Sequence, residues 1–127
     1  MAKLKLSFTH LGVNFENIEF NQWNDSKKIY VTGRGLSKVV KTYCKALHMG
    51  KIKTRYSSFA GGDSLTVEVE NFDSSITDIL QSLFQTYGGF DYYQDMQLPS
   101  KNCHFSSVEV EGYTLDVGVK YLNVNKL

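Results

Sequence analysis

Proline is nearly missing from this chain: Pro99 is the only one in 127 residues. With no proline-rich or other low-complexity tract, the sequence excludes a disordered arm and an extended linker, and residues 1–127 read as one domain. Apolar runs are short. None reaches the roughly 18 residues of a membrane-spanning helix, and the N-terminal MAKLKLSFTH lacks the continuous apolar stretch of a signal peptide. The expectation is a cytoplasmic protein with no membrane partner. Cysteine is scarce too. Cys44 and Cys103 fall on different expected elements with no metal-type spacing, so they read as reduced thiols, which excludes a disulfide framework and a thiolate metal site. The three histidines, His10, His48 and His104, are scattered. No Ser/His/Asp order and no carboxylate pair has a motif-like setting, so the sequence predicts no enzyme and implies no cofactor.

Aromatics and lysine are plentiful. Phenylalanine and tyrosine occur eight times each, and 42% of the chain is hydrophobic, enough for a single core. The net charge of +1 conceals an asymmetry. Residues 1–58 hold eleven Lys/Arg against three acids, whereas residues 59–127 hold three lysines against ten acids. Two such halves either neutralise each other on folding or display faces of opposite sign.

In KLKLSF, Leu4, Leu6 and Phe8 alternate with Lys3, Lys5 and Ser7, the period-two pattern of a half-buried strand. Residues 17–23 and 28–33 read as two further strands. Ser37 is the expected N-cap of a first helix whose core stripe is Val39, Val40, Tyr43, Cys44 and Leu47. Its opposite face carries Lys38, Lys41, Lys45 and His48, and Gly50 stops it.

The stretch YSSFAGGDS (56–64) resembles a phosphate loop at first sight. A phosphate loop, however, needs a helix N-terminus after its glycines, and here a strand pattern follows. Pairing residues 51–57 with 64–70 so that partner numbers sum to 121 sets Ile52, Thr54 and Tyr56 opposite Val69, Val67 and Leu65. The same register sets Lys51 and Lys53 opposite Glu70 and Glu68. Hydrophobicity and charge thus agree on a hairpin closed by SFAGGD. A second helix is expected over DSSITDILQSLFQTYGG, with Ser75 and Asp78 at capping-box spacing, Phe72 as a staple, and Ile76, Ile79, Leu80, Leu83, Phe84 and Tyr87 buried. Residues 88–102 read as a long aromatic loop. A last long strand alternates Tyr113, Leu115, Val117, Val119 and Tyr121 with polar residues. The expected order β-β-β-α-β-β-α-β-β gives an α+β fold, an antiparallel-rich sheet with two helices packed on one face.

The order helix, KTRYSSFAGGDSLTVEVEN, helix, GGFDYYQDM resembles a large polyvalent protein-associated domain of phages and conjugative elements. Its R-x-S/Y-S-x-x-G-G-x-S-[IL]-x-V core is matched by Arg55, Tyr56, Ser57, Gly61, Gly62, Ser64, Leu65 and Val67, and its later segment by Phe90, Asp91, Asp95 and Met96. The resemblance covers about residues 38–96. It implies the setting of a mobile-element accessory protein acting against a host defence, and no chemistry.

Two surfaces are candidates for function. The loop residues Phe90, Asp91, Tyr92, Tyr93 and Asp95 offer rigid contact area of the kind favoured at protein interfaces, or else pack on the sheet edge. Asp91 and Asp95 alone are too few for a metal site. The second surface is basic: Lys38, Lys41 and Lys45, with Lys27, Lys28 and Arg34 of VTGRGLS, match a nucleic-acid backbone or else form a solvated helix face. The first reading makes the chain a small non-catalytic protein that docks a protein partner; the second makes it a nucleic-acid-binding module. What separates them is whether the lysine stripe is neutralised by Glu109, Glu111 or Asp116 or stands clear.

Overall fold

The computed structural model describes residues 2–91, 96–99 and 106–127, and the side chains of residues 2–86 and 108–127. The chain begins with β1 (Ala2–His10), β2 (Val13–Gln22), β3 (Lys28–Val31), α1 (Gly33–Ala46), β4 (Ile52–Phe59) and β5 (Gly62–Val69). It continues through α2 (Ser74–Phe84), β6 (Tyr87–Asp91), β7 (Met96–Pro99), β8 (Ser106–Val110), β9 (Tyr113–Asp116) and β10 (Tyr121–Lys126). The fold is α+β and antiparallel-rich. A five-stranded sheet has the order β1-β2-β3-β9-β8, a three-stranded sheet the order β10-β5-β4, and β6 and β7 pair as a separate hairpin.

β1 and β2 join through Leu11 and Gly12, both at positive φ, the conformation a tight two-residue hairpin turn requires. Their register sets Leu4 and Leu6 opposite Phe20 and Ile18 on the inner face, and Lys3 and Lys5 opposite Asn21 and Glu19 on the outer one. Phe8 stacks on Phe15 beyond a bulge, with ring centroids 5.1 Å apart. β3 pairs antiparallel with β2 and parallel with β9. One continuous core lies inside, built from Phe15, Ile18, Phe20 and Ile29 of the larger sheet, Leu65, Val67, Leu122 and Val124 of the smaller, and the apolar stripes of both helices. α1 packs against β2 and β4 and so joins the two sheets, while α2 packs against β10. The helices meet where the Tyr43 and Phe84 rings lie edge to face at 6.2 Å.

The β4–β5 register has the expected sum of 121, from Ile52 opposite Val69 to Phe59 opposite Gly62. Its turn is shorter than expected, because Ser58 and Phe59 remain paired with Asp63 and Gly62. Asp63 locks it: one carboxylate oxygen accepts from the Tyr56 hydroxyl at 2.8 Å and the other from the Lys120 N–H at 2.8 Å. Burial, and then this carboxylate, push the Tyr56 hydroxyl up to about 12. Ala60 and Gly61 therefore turn the chain, with a carboxylate where a phosphate loop would need to attract an anion.

Elsewhere element boundaries move. Thr32, not Ser37, caps α1, its hydroxyl accepting from the Gly35 N–H at 3.0 Å. Gly33-Arg34-Gly35 is thus the first helical turn and not the turn before it. Leu47 is exposed, and Leu36 and Met49 complete the core stripe instead. α2 is capped by Asp73, whose carboxylate accepts from the Ser75 N–H at 2.9 Å and is held below the usual range by that bond. It ends at Phe84, so Tyr87 opens β6 instead of continuing the stripe, and Ile79 and Phe72 are exposed. Part of the expected 88–102 loop is the β6–β7 hairpin.

The expected last strand is two strands. β9 ends at Asp116, and Val119 bonds with Phe84 and Thr86 at the end of α2. β10 then joins the other sheet, parallel to β5. Burial changes phase on the way: Leu115, Val117 and Val119 are buried, then Leu122 and Val124 in place of Tyr121. A strand that leaves one sheet for another presents its opposite side to the shared core.

Gly35 makes α1 possible at this site. A Cβ there would collide with the Glu19 carbonyl and come within 3.0 Å of a Val31 methyl. Glycine to alanine inside a helix ordinarily stabilises by about 1 kcal/mol. Here Gly35→Ala is expected to lower the melting temperature, whereas Gly61→Ala, with no atom within 4 Å of the added carbon, leaves it unchanged or slightly higher. A Gly35→Ala protein that melted at or above the wild-type temperature in a calorimeter would contradict this packing.

Candidate nucleic-acid interface

Two elements bring the basic residues together. In β1 the alternation that turns the half-buried Leu4 and Leu6 and the buried Phe8 toward the core forces Lys3 and Lys5 onto the outer face. In α1 the buried stripe of Leu36, Val39, Val40 and Cys44 leaves Arg34, Lys38, Lys41 and Lys45 on the other side of the helix. Their spacing of four, three and four residues keeps one continuous line, about 16 Å long at the helical rise of 1.5 Å per residue. Where α1 starts beside β2, Lys5, Asn17, Glu19, Arg34, Gly35 and Lys38 line a cleft of about 160 Å³. Three cations face one carboxylate there, and the positive end of the helix dipole adds to the same sign.

The lysine stripe stands clear. The one ion pair among the described residues joins Lys28 to Asp116 at 3.9 Å, and Lys38, Lys41 and Lys45 take part in none. Nor do Glu109 and Glu111 pair with them among the described residues. The opposite charges of the two halves thus meet at Lys28 and Asp116 and at Lys53 opposite Glu68, but not along the lysine stripe of α1.

Lys27 and Lys28 sit on aromatic rings of the larger sheet, Lys27 Nζ 5.4 Å from the Tyr113 centroid and Lys28 Nζ 5.7 Å from that of Tyr30. They border the outer face that carries Lys3 and Lys5, since Tyr30 pairs with Asn21 and Asn21 with Lys3. Of the six basic residues expected from the sequence, Arg34, Lys38, Lys41 and Lys45 share the helix, while Lys27 and Lys28 lie at the far end of β3. Lys3 and Lys5 belong to the same basic region and were not expected there. The signal that could have found them is the KLKL alternation, which commits both lysines to a surface once the leucines are buried.

The expected protein-docking loop cannot be assembled in the same way. Tyr92, Tyr93 and Asp95 lie outside the described residues, and Phe90 and Asp91 are placed in β6 by their backbone alone. Cys103 and His104 also lie outside them.

Cys44 is fully buried in the core, and that burial pushes its thiol up to about 12. The unfolded thiol ionises near pH 8.5. The stability gained by keeping it neutral is thus complete below about pH 8.5 and is lost as pH rises toward the folded value of about 12. Alkylation of Cys44 by iodoacetamide near pH 8 should be at least about a hundredfold slower in the folded protein than in denaturant, because the thiolate is the reacting species. Equal rates in peptide mass spectrometry would mean that α1 does not bury this face.

No family model, no curated protein and no solved structure matches the chain, so its own geometry is what a functional reading has to work from.

Proposed function

We propose that this is a non-catalytic protein that binds a nucleic-acid backbone through the cleft at the start of α1 and the cationic line beyond it. The observation that carries the reading is the run of Lys5, Arg34, Lys38, Lys41 and Lys45 across two elements, with Glu19 as the one carboxylate lining the cleft. Cations that give up no carboxylate partner on binding gain the whole of the counterion release from a phosphate chain. An isolated small anion would need only the cleft; the line along the helix fits a repeating one. Binding takes place in the cytoplasm, where Cys44 stays reduced. The phage or conjugative-element setting implied by the resemblance over residues 38–96 supplies a place for this activity and none of its chemistry. Docking of a protein partner through Phe90, Asp91, Tyr92, Tyr93 and Asp95 has no comparable observation behind it. No helix among the described residues is long and apolar enough to cross a membrane.

Fluorescence anisotropy of labelled single-stranded DNA, duplex DNA and duplex RNA, at about 50 and 200 mM salt, tests the proposal. Five phosphate contacts would give the log of the duplex binding constant a slope of about −4.5 against log salt. Charge reversal at Arg34 and Lys38 together should weaken binding at least about tenfold and flatten that slope by about two contacts. A flat salt response, or full affinity in the double variant, would remove the proposal.

A further inference from the structure

Resting on that nucleic-acid reading, we infer that the ligand is single-stranded, its bases stacking on Tyr30 and Trp23 across the outer face of the five-stranded sheet while its phosphates follow the neighbouring cations. Tyr30 is 42% and Trp23 57% exposed, both large values for aromatic residues. Tyr30 lies in the middle of the sheet, in a row that runs Lys3, Asn21, Tyr30, Asp116 across four strands. Trp23 directly follows β2, in the turn that leads to Lys28 at the start of β3. Lys28 stands over the Tyr30 ring, 5.7 Å from its centroid, which leaves the other face of the ring for a base, and Lys3 and Lys5 occupy the next strand but one. Of the carboxylates on this face, Glu19 lies opposite Lys5 and Asp116 is in the ion pair with Lys28, while Glu109 lies farther out on β8, opposite Thr114.

This combination distinguishes single strands from duplexes. The bases of a duplex are stacked on one another and offer no face to a ring on a flat sheet. Unpaired bases do, and stacking on aromatics beside a basic track is how single strands are held without regard to sequence. A second feature of the same row points to a ligand. The side-chain amide oxygen of Asn21, between Lys3 and Tyr30, is buried with no hydrogen-bond partner among the described residues. A buried acceptor left unpaired is costly. The exocyclic amine of a base would satisfy it once Lys3 or Tyr30 swings aside.

Trp23 is the only tryptophan in the chain, so its emission reports on this face without a label. The test titrates the full chain with three probes: a single strand of about 15 nucleotides (oligo-dT and oligo-rU in separate arms), a duplex of the same length, and heparin, a polyanion with no bases. Single strands of either sugar should bind more tightly than the duplex and quench Trp23, while heparin binds without quenching. Tyr30→Leu, which keeps an apolar side chain but removes the ring, should weaken single-strand binding by roughly 5- to 100-fold and leave heparin affinity unchanged, and Tyr30→Phe should bind as wild type. Equal affinity for duplex and single strand, with Tyr30→Leu altering neither, would overturn the inference and leave the backbone-binding proposal standing. No binding to any of the three probes would overturn both. Emission of Trp23 that changed with protein concentration alone would assign the face to a second copy of this chain and would likewise overturn the inference.

Discussion

The carbonyl of Glu19 accepts both the backbone N–H and the hydroxyl of Thr32, at 3.1 and 3.3 Å, and the remaining elements take their places from that junction. It is where the chain stops being a strand beside β2 and becomes a helix. Thr32 spends its hydroxyl oxygen a second time by accepting from the Gly35 N–H, so one side chain both closes the sheet and opens the helix. The helix then lies against β2 on one flank and β4 on the other. Gly33 allows the second of these approaches, because a Cβ there would run into the ring of Tyr56 on β4. Two glycines in one helical turn would be a poor choice in isolation. They are tolerated because each admits a neighbour that a side chain would exclude.

That junction also fixes the electrostatics. With the start of α1 held at Glu19, Arg34 and Lys38 come beside Lys5 of a strand that is remote from them in sequence. The apolar stripe of the helix and the apolar side of β1 both face the core, so their cations have only the surface left to occupy. Nothing in the packing asks for an acid of the C-terminal half beside them, and Glu19 is the one carboxylate lining the cleft at the start of α1. The basic line of α1 thus stays on the surface without an ion-pair partner among the described residues.

How much of this was legible depended on whether two independent signals agreed. The β4–β5 register was legible because apolar and charged pairs select the same sum, and a slip of one would bury lysines. The buried stripes of α1 and α2 were legible in their centres for the same reason. The start of α1 was not. Gly33 and Gly35 suit a turn from strand to helix before a Ser37 cap, whereas the backbone approach to Glu19 that decides the matter is tertiary. The division of the last strand was hidden because alternation names a buried side without saying in which sheet. The basic helix face could be read directly. Its extension to Lys3, Lys5 and Tyr30 could not, since periodicity assigns faces but the order β1-β2-β3-β9-β8 decides which faces adjoin.

The two parallel pairings bear on how the chain reaches this state. Lys28 of β3 waits for Thr114 of β9, and Ser64 of β5 waits for Tyr121 of β10. Neither sheet can close until residues from the last part of the chain are present, and loop closure across such separations is slow. During synthesis the hairpins β1–β2 and β4–β5 can form early, but β3 and β5 would each emerge with one side unpaired. Lys28, beside Ile29 and Tyr30, and Glu68, between Val67 and Val69, place a charge within each of these waiting strands. Such charges oppose pairing with another chain during the interval. The nascent protein therefore passes through a stage in which its solubility rests on side chains that the finished fold uses for other purposes.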